Sequence, residues 1–162
     1  ANTDDMVQKA NKRMWIIRRL KNLGAQEKDL VDLYTKQVRS VLELAVPAWH
    51  GGIYQAERIQ IERIQKSACH VILGDKYESY KLALRALDLE PLQSRRDKLS
   101  LNFALKSEKS DKFQKWFKPA TYPQDTRQDK LKYCKVNTKH SRFLKSPLSF
   151  LTNLLNEHYN KK

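Results

Sequence analysis

Apolar residues in this chain recur at helical spacing along most of its length, and almost no stretch alternates as a half-buried strand requires. Over residues 3–22, Val7, Ala10, Met14 and Ile17 fall on one face of a helix; Thr3 is placed to cap it, Asp4 and Asp5 suit its positive end, and Gly24 suits its stop. Leu30, Tyr34, Val38, Val41 and Ala45 predict a second helix over about 27–45 that Pro47 forbids from continuing, with Trp49-His50-Gly51-Gly52 as the connecting loop. A third helix is predicted from Ile53 to Leu73, carrying Ile61, Ile64, Ala68 and Val71 inward, pairing Glu62 with Lys66, and closing at Gly74. Ser79 to Leu87 reads as a short helix, and Pro91 opens another. In that one, Leu92, Leu99 and Phe103 lie on one side with Leu101 and Leu105 nearly opposite, which predicts a central helix with neighbours on two faces. Ser146-Pro147 opens a final helix through Leu148, Leu151, Leu154 and Leu155. The pattern predicts an all-α fold: a bundle of about five helices, an extended basic C-terminal arm, and a short terminal helix.

Charge divides the chain differently. Among 162 residues, Lys and Arg number 32 against 18 Asp and Glu, a net charge of +14. The surplus is concentrated after about residue 110, so the reading places a helical bundle at 1–110 and a basic arm with its terminal helix at 111–162. Between 118 and 146 eight basic residues meet only two acids, and Pro119 and Pro123 break any helical period. A surplus of this size points to a polyanionic partner.

Other classes find little support in the residues. No apolar run approaches the about 18–20 residues that a membrane span needs, and Met14-Trp15-Ile16-Ile17 is too short, between basic pairs, for a signal-peptide core, so the reading expects no membrane and an intracellular chain. Cys69 and Cys134 fit no redox or metal spacing, and His50, His70, His140 and His158 are scattered, so no metal site is expected. No nucleophile box or phosphate-cradling glycine loop occurs; Gly51-Gly52 reads as a turn, Cys69 as a buried thiol, and Asp4-Asp5 as a helix first turn. No catalytic residue is assigned.

What remains is basic surface with aromatic interleaving. The candidate phosphate contacts are Lys9, Lys12 and Arg19 on the first helix and Arg95, Arg96 and Lys98 at the start of the central one. In the arm they are Arg127, Lys130, Lys132, Lys135, Lys139, Arg142 and Lys145. Tyr122, Tyr133 and Phe143 are candidates to stack on unpaired bases.

Several phrases then follow one another in a familiar order: Arg18-Arg19-Leu20, Leu33-Tyr34, Val38-Arg39-Ser40-Val41-Leu42-Glu43, Pro47-Ala48-Trp49-His50, Ile61-Glu62-Arg63-Ile64-Gln65-Lys66-Ser67-Ala68, Val71-Ile72-Leu73-Gly74, and Leu89-Glu90-Pro91-Leu92 before Arg95-Arg96. Ser141-Arg142-Phe143, Lys145-Ser146-Pro147 and Leu151-Thr152-Asn153-Leu154-Leu155-Asn156 complete the series. In this order the chain resembles the C-terminal part of the reverse transcriptases of non-LTR retrotransposons, the long interspersed, jockey-like elements. The resemblance implies a thumb-like bundle and tail of an RNA-directed DNA polymerase that grips RNA template and RNA–DNA hybrid during target-primed reverse transcription. Its partners would include the upstream palm and fingers. Catalysis and its Mg²⁺ would belong to that palm, whose paired aspartates are not among these residues, leaving no cofactor for this chain. By the same resemblance the protein would work in a cytoplasmic ribonucleoprotein and in the nucleus. The alternative is a domesticated helical adaptor that contacts proteins and has no polymerase role.

Overall fold

A computed structural model describes residues 3–121, 131–135, 143 and 145–161. The described residues are all-α, with one isolated antiparallel bridge between Pro119 and Tyr133. They form two compact units: residues 1–44 with 53–95, and residues 45–52 with 96–162.

In the first unit, α1 (Thr3–Asn22) buries Ala10, Met14 and Ile17, the stripe its spacing predicts, against α5 (Gln55–Leu73), which buries Ile61, Ile64, Ala68, Cys69 and Ile72. Thr3 is already helical, and its hydroxyl donates to Glu57 Oε1 (2.6 Å), whose other oxygen accepts from the Tyr54 amide (2.7 Å). These two hydrogen bonds hold the Glu57 carboxyl below its usual value and join the start of α1 to the start of α5. Gly24, at φ 85°, ends α1 in the left-handed conformation, with the Ala25 amide returning to Leu20 O at 3.0 Å.

The second predicted helix has a wider middle. α2 (Glu27–Leu33) runs into a π-helical stretch (Tyr34–Arg39) and then α3 (Ser40–Leu42); Leu30, Tyr34 and Val38 are buried as their spacing predicts, but after the π stretch Leu42 is the buried residue in place of Val41, and Ala45 is exposed. Tyr34, the first residue of the stretch, reaches buried Gln65 of α5, which accepts from Tyr34 Oη (2.8 Å) and donates to Tyr80 Oη (3.0 Å) and Glu90 O (2.8 Å). A buried amide in an apolar stripe costs stability unless its partners are met, and here three are. α6 (Tyr80–Ala86) is capped by Ser79, whose hydroxyl accepts from the Leu82 amide. Glu62 does not depend on Lys66 for a partner: it accepts from Tyr80 Oη (2.5 Å) and from the amides of Leu92 and Gln93 (3.1 and 3.3 Å), capping the next helix from a distance in sequence.

That helix is α7 (Leu92–Glu108), and the division between units falls inside it, after Arg95. Its buried stripe is Leu92, Arg96, Ser100, Ala104 and Ser107, whereas Phe103 is exposed.

The second unit begins before α7, at Ala45. Pro47 does more than end a helix: Ala45 adopts a left-handed φ of 51° and Pro47 sits in the first turn of α4 (Val46–Trp49), followed by a 3₁₀ turn over His50–Gly52. The expected loop at 49–52 is thus helical, with Trp49 and His50 buried. α8 (Pro147–Asn160), capped by Ser146, packs on this turn, and Leu151 and Leu155 join Ala104, Phe117 and Tyr133 in one core cluster.

Candidate nucleic-acid interface

Helical periodicity assigns the outer face of α1 to what the core leaves out. With Ala10, Met14 and Ile17 inward, Lys12, Trp15, Arg18 and Arg19 face solvent, and Trp15 is 63% exposed. Lys12 stands three residues before Trp15, and Arg18 and Arg19 three and four after it, so the cations neighbour the indole on the helix surface. Other cations of α1 are engaged: Lys9 pairs with Asp5 (2.7 Å), Arg13 donates to Gln37 O (2.7 Å), and Lys21 donates to Ile72 O (2.7 Å). Lys12, Arg18 and Arg19 make no ion pair with a described residue. Lys12 and Arg19 are therefore placed as the sequence predicts, and Lys9 is neutralised locally.

The second unit carries a comparable set that the sequence reading missed. After α7 the chain tightens into turns through a 3₁₀ segment, Gln114–Trp116, in which residues three apart lie one above the other. The Trp116 amide donates to Phe113 O (2.9 Å), so the Phe113 ring packs against the indole with centroids 4.7 Å apart and planes tilted by 57°, Phe103 stands 6.5 Å from Phe113, and Trp116 is left 44% exposed. Lys106, Lys109, Lys112, Lys115 and Lys118 recur every third residue here, all exposed. That regular spacing is the signal in the sequence that would have found them. Lys135 joins them because the Cys134 amide donates to Lys118 O (2.9 Å) and the Ala120 amide to Lys132 O (3.0 Å).

The remaining predicted contacts fare differently. Arg95 is spent on a bidentate pair with Glu43, at 2.5 and 3.0 Å, the carboxylate's hydrogen bonds holding the Arg95 charge more firmly still. Arg96 is wholly buried and so has no solvent face to offer a phosphate. Lys98 shares a surface hollow with Asp97, Glu157 and His158, a neighbourhood of mixed charge. Lys132 pairs with Glu108 at 2.6 Å and lies 3.7 Å over the Tyr159 ring. Tyr133 is a core residue: its ring packs 5.6 Å from Phe117, its hydroxyl donates to Glu108, and its amide and carbonyl bond Asn156 of α8 at 2.9 and 3.0 Å. It therefore presents no ring face for stacking, and through Tyr133 the described stretch 131–135 of the expected arm is anchored to the second unit's core. Lys135, Lys145 and Phe143 are exposed. Tyr122, Arg127, Lys130, Lys139 and Arg142 lie outside the described residues.

Chemistry other than binding has few footholds. Burial pushes the Cys69 thiol up to about 11, which makes it a poor nucleophile at neutral pH. His50 Nε2 lies 2.8 Å from Asp97 Oδ1, its ring buried edge-on against Phe150. Asp4 and Asp5 occupy the first turn of α1. Among the described residues no group of three or more His, Cys, Asp or Glu could hold a metal ion, and no helix is long and apolar enough to cross a membrane. Compared with protein-family models, curated proteins and solved structures, the chain matches none significantly.

Proposed function

We propose that this chain is the non-catalytic, thumb-like C-terminal portion of a non-LTR retrotransposon reverse transcriptase, gripping the backbone of RNA template and RNA–DNA hybrid. The observation that carries the reading is the pair of cationic faces: Lys12, Arg18 and Arg19 around Trp15, and Lys115, Lys118 and Lys135 around Trp116, none ion-paired with a described residue. Cations left without acids neutralise phosphates and release counterions, and contacts of that kind hold a strand without reading its sequence. The collinear order of the phrases from Arg18-Arg19-Leu20 to Leu154-Leu155-Asn156 supports the retrotransposon assignment. In this reading bond formation belongs to a palm and its Mg²⁺ outside these residues, and the chain works in cytoplasmic ribonucleoprotein and nucleus. Six engaged phosphates give a logarithmic salt slope of about −4 to −5, at ~0.7–0.9 per phosphate. Filter binding of an RNA–DNA hybrid across a salt series measures it; a slope near zero rejects the reading.

One observation favours the adaptor alternative. A cavity of about 460 Å³ in the second unit is lined by Ala45, Pro47, Ala48, Phe103, Trp116, Pro147 and Leu151, a wall that suits an apolar side chain of a protein partner. Salt-independent protein capture together with a flat nucleic-acid salt series is the result that alternative requires.

A further inference from the structure

A second hollow lies on Trp116, and its walls are of another kind. It measures about 390 Å³ and is lined by Lys115, Trp116, Lys118, Cys134, Lys135, Leu148 and Thr152. Each part is held in place by something already described. The indole is propped by Phe113 at 4.7 Å. Lys118 and Lys135 are brought side by side by the Cys134 amide bond to Lys118 O, and the Cys134 thiol is turned away to Pro119 O at 3.3 Å. Thr152 spends its hydroxyl on Leu148 O (2.8 Å), so the floor under the indole is largely apolar.

A flat π surface over an apolar floor asks for a planar ring, and the ammonium groups around it ask for more than one negative charge. Carboxylate side chains supply the charge without the ring. A paired base keeps its faces inside the duplex stack, whereas an unpaired one offers a face and brings phosphates on either side of its sugar. The volume is at the small end for a ligand site, room for one such unit and not for a duplex. We propose that Trp116, Lys115, Lys118 and Lys135 form a pocket for one unpaired nucleotide of a strand, the base on the indole and the flanking phosphates on the lysines. This rests on the reading that the chain binds nucleic acid, and adds that it holds a single-stranded element there.

The test uses the full chain carrying Trp15→Phe, so that the exposed indole reporting is Trp116. Its emission is followed with an adenylate RNA octamer, an eight-pair duplex, ATP and poly-glutamate, and affinities are compared with a Trp116→Leu variant. The octamer is expected to quench, and Trp116→Leu to weaken it about 5- to 100-fold while changing duplex binding less than about 2-fold, with Trp116→Phe restoring most of the loss. Lys118→Glu with Lys135→Glu is expected to abolish the quenching. If both nucleic acids bind with the steep salt slope but the octamer neither quenches nor responds to Trp116→Leu, the pocket is refuted and backbone binding stands. If neither binds with a salt slope, both readings fail. Quenching by ATP or poly-glutamate without quenching by the octamer also overturns the proposal. Because the quenching is read in protein that retains Trp116, a Leu variant that fails to fold leaves the test intact.

Discussion

Gly51 is fixed by what lies beside it. A Cβ built there would stand 2.5 Å from both Cβ and Cγ of Phe150, so α8 approaches the turn only because the side chain is missing. Gly51→Ala is expected to cost about 1–3 kcal/mol, the range for overpacking, while Gly52→Ala, whose nearest neighbour is Lys145 O at 3.5 Å, changes stability by less than about 0.5 kcal/mol. Urea unfolding of the two variants separates them. Ala45 makes the opposite prediction: a non-glycine residue at φ 51° is strained, and Ala45→Gly is expected to raise stability by about 0.5–1 kcal/mol in the same assay. The turn at Gly51-Gly52 is legible in the sequence, but its reason is not, because Phe150 is a hundred residues away. Tertiary packing likewise hides Arg96 and Tyr133. A string of residues shows a basic side chain and an aromatic one, and only the fold shows that one is buried and the other is held by Asn156 and Glu108.

Elements were legible where the buried stripe is apolar and obscure where it is not. α1 covers the span its spacing predicts and stops at Gly24, although Thr3 lies inside it and not at its cap, and α5, α6 and α8 fall within a few residues of their expected bounds. In α7 the buried positions Leu92, Arg96, Ser100, Ala104 and Ser107 mix polar with apolar, so counting apolar residues finds the wrong line. The end of that helix carries a testable cluster: Glu108 accepts from Lys132 Nζ (2.6 Å), from Tyr159 Oη (2.8 Å) and from Tyr133 Oη. Burial works to raise the Glu108 carboxyl, and the hydrogen bonds from Lys132, Tyr133 and Tyr159 outweigh it and hold it below its ordinary 4.5. A carboxyl depressed on folding stabilises above its unfolded value and loses that contribution as pH falls through the folded one. Burial and the bond to Glu108 push the Tyr133 hydroxyl the other way, to about 12, so its contribution is complete below 10.0 and disappears as pH climbs toward about 12. Glu108→Gln is expected to cost about 1–3 kcal/mol at pH 7 and to flatten the acid side of a melting-temperature profile relative to the unaltered chain. Equal acid slopes for the two proteins would show that the cluster does not couple to folding.

Over the molecule as a whole, the sum of charge was plain in the sequence and its distribution was not. The composition put the surplus after about residue 110, yet Lys9, Lys132 and Arg95 meet carboxylates, Arg96 is buried, and Lys12, Arg18 and Arg19 in the first twenty residues face solvent unpaired with any described acid. Trp15 was overlooked because a tryptophan between apolar residues reads as core, although on the helical wheel it stands about 100° from Met14 and about 160° from Ile17, off their shared buried stripe, and so faces outward. If the faces around Trp15 and Trp116 are the ones that meet phosphates, they divide the salt slope between them. Three contacts at ~0.7–0.9 each make a share of about 2 to 2.7 for either face. Lys12→Glu, Arg18→Glu and Arg19→Glu together should therefore bring a slope of about −4 to −5 to near −2, and so should Lys115→Glu, Lys118→Glu and Lys135→Glu. Because the two sets share no residue and sit in different compact units, the six changes combined should leave almost no salt dependence. Lys28→Glu, Lys66→Glu and Lys81→Glu together, all exposed and far in sequence from both indoles, control for net charge alone: a drop as large as either of the other triples would mean that the total positive charge binds the strand and these two faces do not.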